Sequence, residues 1–262
     1  GWDYRHMVKT IVTSATYRQA ATVTPEKLEI DPANRLLSRG PRFRLDGEQI
    51  RDLALAASNS LAKKTGGPPV KPYQPKGVWS AVAMPQSNTR NYQQDSGDAL
   101  YRRSIYTFWK RTAPHPAMEI FNAPTREVTC VARERTNTPL QAFVTMNDPQ
   151  FVEASRQLAA NALREHPEPK VDAPTSSDST FETRVDFIAM RLLSRPLDEE
   201  EKSHVKRTLT TSKSIYANDP EAAQSFTSVG ESKPDPDLDP AELATWTLIA
   251  NQILNLDETL NR

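Results

Sequence analysis

Arginine and aromatic side chains carry the strongest chemical suggestion in this chain. Arg18, Arg35, Arg39, Arg42, Arg44, Arg51, Arg102, Arg103, Arg111, Arg126, Arg133 and Arg135 all fall in the first 150 residues, where lysine is the rarer cation. A planar guanidinium presents donors in a fixed fork that suits carboxylate, phosphate or sulfate, and it stacks on rings. In RRSIYTFWKRT, residues 102–112, four cations surround Tyr106, Phe108 and Trp109. Rings interleaved with cations can form a platform for bases or for the apolar faces of sugars. The candidate ligand-binding surface is Tyr17, Arg18, Arg42, Arg44, Tyr73, Trp79, Arg102, Arg103, Trp109, Arg111 and Arg126. The competing interpretation is that these arginines serve internal carboxylates and carbonyls and fix loops.

Paired carboxylates would permit general acid–base cleavage of a glycoside, and Asp31, Asp52 and Glu127 are the weak candidates, with Asp46 and Glu48 beside them. Each lies within a few residues of an arginine, a pattern that favours ion pairs and helix caps over catalysis. Cys130, between Arg126 and Arg133, could become a thiolate or sit as a small apolar residue. A single cysteine excludes a disulfide within the chain, a cysteine-based zinc site and a two-cysteine haem attachment. His6, His115, His166 and His204 have no spacing that puts two on one helical face, so no metal site is expected. No G-x-S-x-G elbow occurs.

Formal net charge is zero, yet residues 1–150 carry 21 Lys and Arg against 13 Asp and Glu, and residues 151–262 carry 12 against 20. The two halves can attract each other, or the basic one can meet an anionic partner. Overall neutrality argues against nucleic acid. No apolar run reaches the length of a membrane span, and the first 20 residues lack the regions of a signal peptide. The chain opens on Gly1 inside a helical pattern, so a natural protein extending upstream is expected.

The elements that must position these groups are mostly helical. Periodicity predicts an amphipathic helix over residues 2–21 and another from Asp46 or Gly47 through Ile50, Leu53, Ala54, Ala57 and Leu61. Asp31 with Pro32 caps a short turn. Residues 71–98, rich in proline and polar side chains, read as a long surface loop anchored by Tyr73, Val78, Trp79, Val82 and Met84. Residues 101–112 fit both a helical face and a strand alternation, and the helical neighbourhood favours helix. Helices follow from Thr138-Pro139 and after Asn147-Asp148-Pro149, then at about 181–194, 198–217 and 240–256, with a polar loop, GESKPDPDLD, before the last. The fold class is therefore mainly α, an irregular helical domain with long ordered loops and room for a small β element, plus a smaller C-terminal helical bundle. Residues 1–166 form the arginine- and aromatic-rich core domain, 167–180 a linker of proline, serine and acidic residues, and 181–262 an acidic helical segment packing on the core.

The stretches SATYRQ, DPANRLLSRGPRFRLDGEQIRD, GGPPVKPYQPKGVW, YRRSIYTFWKRTAPHPAMEIFNAPTRE and RTNTPLQAFVTMNDPQFVEASRQLA resemble, in order, the C-terminal domain shared by many large planctomycete proteins, domain-of-unknown-function family 1553. The terminal ELATWTLIANQILNLDETLNR resembles the end of those proteins. The resemblance implies a module that follows other domains, including a cytochrome-c-like one upstream, in an extracytoplasmic protein. It implies no cofactor in this chain, with haem belonging to the upstream region, and it carries no catalytic residues over. Two departures from the family pattern are Asn59, where Gly is usual after Ser58, and Asn122, where Asp is usual before Ala123-Pro124. Asn is the next-best residue for a left-handed helix end. An amide at position 122 cannot act as a carboxylate acid or base. The expected function is a binding or structural module that docks an upstream domain or an anionic, sulfated or uronic, polysaccharide; the alternative is a polysaccharide-degrading enzyme with paired carboxylates.

Overall fold

A computed structural model describes residues 1–168 and 177–261, with side chains on either side of 169–178. Two compact units divide it: Gly1–Arg44 with Asn261, and Leu45–Leu260. The expected linker, 167–180, lies largely outside the described residues.

In the first unit, α1 (Tyr4–Thr13) is capped by Asp3, whose carboxylate accepts from the Arg5 and His6 amides. The periodicity to residue 21 is not used. At Ser14 the backbone turns extended, and the Ser14 hydroxyl both donates to the Ile11 carbonyl and accepts from the Tyr17 amide, so a local side-chain turn displaces the next helical turn. After α2 (Pro25–Ile30), the Asp31 carboxylate accepts from the amides of Arg35 at 2.8 Å and Leu36 at 2.6 Å, closing the expected turn. Arg39 locks it by donating to the Asp31 and Pro32 carbonyls.

The second unit is built on four helices: α3 (Gly47–Ala57), α7 (Pro149–Glu165), α8 (Ser177–Leu192) and α11 (Pro240–Leu254). Ile50, Leu158, Leu163, Ile188, Leu192, Trp246, Ile249 and Ile253 meet in one apolar cluster. Ala159, Ala162 and Ala250, small and buried, lie among them in α7 and α11, the pair in closest association. Burying each large aliphatic side chain contributes roughly 1.5–3 kcal/mol, so this cluster supplies the drive that the irregular parts lack. α9 (Glu199–Asn218) and α10 (Pro220–Thr227) pack on α11, and α12 (Asp257–Leu260) returns the chain to Leu45.

Proline starts helices here as much as it punctuates loops. Six helices among the described residues, α2, α5 (Pro116–Ile120), α6 (Pro139–Asn147), α7, α10 and α11, have proline in their first turn, where its missing N–H has no carbonyl to serve. Aspartates stand before four of them or their neighbours: Asp148 accepts from the Gln150 amide, Asp219 from Ala222, Asp239 from Glu242, and Asp198 shares a reciprocal capping box with Glu201.

Between α3 and α6 the chain is irregular, holding only α4 (Val78–Val82), α5 and 3-10 turns at Gly97–Tyr101 and Ser104–Tyr106. Residues 102–112, expected as helix, run instead beside two other segments. Ala62 pairs with Arg102 and Val70 with Thr107 in isolated parallel bridges, through Ala62 N to Tyr101 O at 2.9 Å, Val70 N to Tyr106 O at 2.8 Å and Phe108 N to Val70 O at 2.7 Å. Neither period is realised: a 3-10 turn at Ser104–Tyr106 separates the two bridges, and Ile105 is exposed where Thr107 is buried, because the backbone on either side takes its partners from the 62 and 70 segments.

Candidate functional site

The irregular segment is held by arginines whose acceptors are chiefly carbonyls. Arg51, on the inner face of α3, is buried; it donates to Arg102 O at 2.8 Å, to Leu100 O, to Ser104 Oγ and, through Nε and Nη2, to Gln150 Oε1. Burial pulls its guanidinium down to about 10, against the opposing pull of Asp52 and Asp148, and it stays charged at neutral pH. Arg102 donates to Pro68 O at 2.9 Å and to Gly66 O, and lies 3.8 Å over the Tyr106 ring. Tyr106 returns the contact by accepting the Gly66 amide. RRSIYTFWKRT is thus tied to the 64–70 turn through Arg102, Tyr106 and Phe108.

Trp79 on α4 is buried at 2 % exposure, edge-on to Tyr92 at 4.8 Å and tilted against Phe108 at 5.4 Å. Lys110 stands 4.9 Å over its ring, and Lys71 lies 5.6 Å from the Phe108 ring. Lys110 also donates to Thr89 O at 2.8 Å. A depression of ≈ 280 Å³ opens beside Trp79 and Tyr92, with Lys76 and Arg90 in its lining. Another of ≈ 520 Å³ lies on the Lys110 side, with Arg111, Val82 and Met84. Neither lining contains a carboxylate.

The residues expected to bind a ligand are distributed as follows. Tyr17, Arg18 and Arg42 are exposed and Arg44 is buried, all in the first unit. In the second, Tyr73, Trp79 and Arg102 are buried, and of the rings expected as a platform Tyr106 and Phe108 are half-buried. Trp109 is half-buried; its Nε1–H donates to Thr125 O, and Arg126, exposed at φ 64°, covers its ring at 4.6 Å. Arg103 is exposed, 3.7 Å from Asp52, and Arg111 is exposed on the second depression. Structure therefore sets Lys110 on Trp79, places Arg111 beside Lys110 on the second depression, and leaves Arg126 with Trp109.

Among the carboxylates, Asp31 closes a turn in the first unit. Asp52 accepts the Ser104 amide at 2.7 Å, and Glu127 is exposed on the loop after α5. Cys130 is exposed, its thiol donating to Ala132 O. A lone thiol cannot supply the two thioether bonds of an attached haem. Among the described residues no group of His, Cys, Asp and Glu could hold a metal ion.

One densely bonded buried carboxylate is not visible in the sequence. Glu153, on α7 at 1 % exposure, accepts from Tyr73 Oη at 2.8 Å, Tyr101 Oη at 2.9 Å and the amide and hydroxyl of Ser232. Arg156, one turn on and equally buried, donates to the Ser232 carbonyl and hydroxyl. Burial, with Glu153 near by, pushes both tyrosine hydroxyls up, so both remain protonated donors. The polar loop before α11, itself half-buried to exposed, is consequently pinned to α7 at Ser232, and Gly230, at φ 97°, passes where any Cβ would overlap the Glu153 carboxyl. Glu153, Arg156 and Gln150 sit three residues apart, a spacing that on a helix reads as a solvated stripe.

The two asparagine departures have structural duties. Asn59 sits at φ 62° just past the end of α3, as its type predicts, and its side chain receives Arg191. Asn122, at φ 59°, accepts from Thr136 Oγ1 at 2.7 Å and Gln141 Nε2 at 3.3 Å. A carboxylate would accept the same two donors, so the position holds a turn.

No helix among the described residues is long and apolar enough to cross a membrane. No curated protein and no solved structure matches the chain. A family model does match, over residues 1–209. With four-fifths of its length covered in this way, the chain belongs to PSD1, a protein family of unknown function (DUF1553).

Proposed function

We propose that the chain is a binding module whose irregular segment, residues 62–128, presents a cationic face to an anionic, hydroxyl-rich polymer such as a sulfated or uronic glycan. One observation carries this reading: the two depressions flanking the Trp79 cluster are lined by Lys76, Arg90, Lys110 and Arg111 without a carboxylate. Arg51 and Arg102, spent on carbonyls, keep the backbone of that face rigid, which lowers the ordering cost of binding. Since Trp79 is buried, charge and not ring stacking would do the recognition. An extracytoplasmic setting, with upstream domains of the same polypeptide as neighbours, belongs to this proposal.

The test is retention on a sulfated polysaccharide column across a salt gradient, comparing the unaltered chain with Arg90→Glu/Arg111→Glu. Retention that falls with salt and is lost in the double variant is the expected result. Retention that is absent at low salt, or unchanged in the variant, removes the glycan and leaves a face for docking protein.

A further inference from the structure

The first unit has no apolar interior: its buried residues are Asp31, Arg39, Gly40 and Arg44, with no large apolar side chain among them. α1 has no buried residue at all. Tyr4, Met7, Val8 and Ile11 are half or more exposed and Val12 is exposed beside them, at spacings of three and four that set them on one face. A helix of ten residues, rich in β-branched Val, Ile and Thr, does not hold itself in water; burial of an apolar face is what stabilises helices of this length. The cations are set unevenly around that face. Arg5 and Lys9, both exposed and one turn apart, follow one edge of the stripe, whereas the other edge ends in Met7 and Thr10. α1 contains no carboxylate, and Asp3 ahead of it is spent on the Arg5 and His6 amides.

We propose that the apolar face of α1 is a docking surface for an amphipathic helix of a partner protein, one whose own apolar stripe carries carboxylates a turn apart along one edge. The stripe supplies the burial, and the Arg5 and Lys9 edge selects the partner and its register by charge. The one-sided placement of the cations separates this occupant from two others. A helix lying in an anionic lipid surface has headgroups along both edges of its apolar face and gains from cations on both; α1 offers them on one. A second copy brings no carboxylate on α1, and an antiparallel two-fold pair would set the Arg5 and Lys9 edges against each other.

The test titrates the full chain into two labelled peptide helices with the same leucine stripe, one carrying glutamates a turn apart along one edge and the other lysines, and reads fluorescence anisotropy. The glutamate peptide is expected to bind about fivefold more tightly than the lysine peptide, two exposed pairs being at stake. Arg5→Glu/Lys9→Glu should reverse that order, and Val8→Asp should abolish binding of both; since none of these side chains is buried, the thermal unfolding of the variants should match that of the unaltered chain. No binding of the glutamate peptide, equal affinity for the two peptides, or binding that survives Val8→Asp overturns the proposal. Association with phosphatidylglycerol vesicles, or self-association in sedimentation, that is lost in Val8→Asp would assign the face to lipid or to a second copy and overturn it equally.

Discussion

Acidification should loosen this protein through His115. The ring is buried, Nε2 is committed to the Tyr73 carbonyl, and the charged groups facing it are Arg51 from α3 and Asp148 ahead of α7. Burial, reinforced by the Arg51 charge, lowers its pKa from 6.5 to about 4. Between those values the unfolded chain binds a proton that the folded chain refuses, so stability rises with pH through the window. The contribution is fully present above about pH 6.5 and lost as pH falls to about 4. At about 1.4 kcal/mol for each pH unit, the gap amounts to about 3 kcal/mol, a large part of the stability of an ordinary domain. Asp148 works in the opposite sense, because burial raises its pKa and its protonated form suits the fold. Comparison with His115→Gln, which keeps a donor for Tyr73 O and cannot titrate, cancels that term. Urea unfolding at pH 4 to 8 is the assay. The wild-type curve should fall below the variant's by about 3 kcal/mol over this interval; parallel curves would refute the assignment of a buried neutral imidazole.

Arg51→Lys should cost about 3 kcal/mol or more in the same assay, since one ammonium cannot span the carbonyls of Leu100 and Arg102 and the Gln150 amide together. For Gly230→Ala, overlap with the Glu153 carboxyl and a backbone at φ 97° should remove about 2 kcal/mol or more and expose Tyr73 and Tyr101 to iodination. Asn122→Asp should leave thermal stability within about 0.5 kcal/mol, because both donors find an acceptor and Asp tolerates a left-handed backbone; a large loss would mean that the amide donates to something essential.

Local chemistry was readable where a residue type answers to its own neighbours. Proline after Thr138 and Asp148, the Asp46 start of α3 and the left-handed Asn59 are decided within a few residues, and each stands where sequence placed it. RRSIYTFWKRT was misjudged because its two periodicities are nearly equal and the deciding partners, Ala62 and Val70, lie over thirty residues away. The expected binding residues separate by burial: Arg111 lies on an open depression, whereas Arg102 and Trp79 turn inward. Glu153 escaped notice for a related reason. A glutamate three residues from an arginine on a helix normally faces water, and only the return of Ser232 from the far side of α10 makes it the centre of the interior.

The acceptors chosen by the buried arginines set how the fold responds to its surroundings. Peptide oxygens have no proton to gain in any physiological medium, and neighbours enclosed at 4 % exposure are beyond the reach of dissolved ions. Brine would therefore weaken the outer pairs, such as Arg133 with Glu48 or Arg164 with Asp235, while leaving the clamps on the 64–104 stretch closed. A surface built this way can have its counterions exchanged freely without its contour changing.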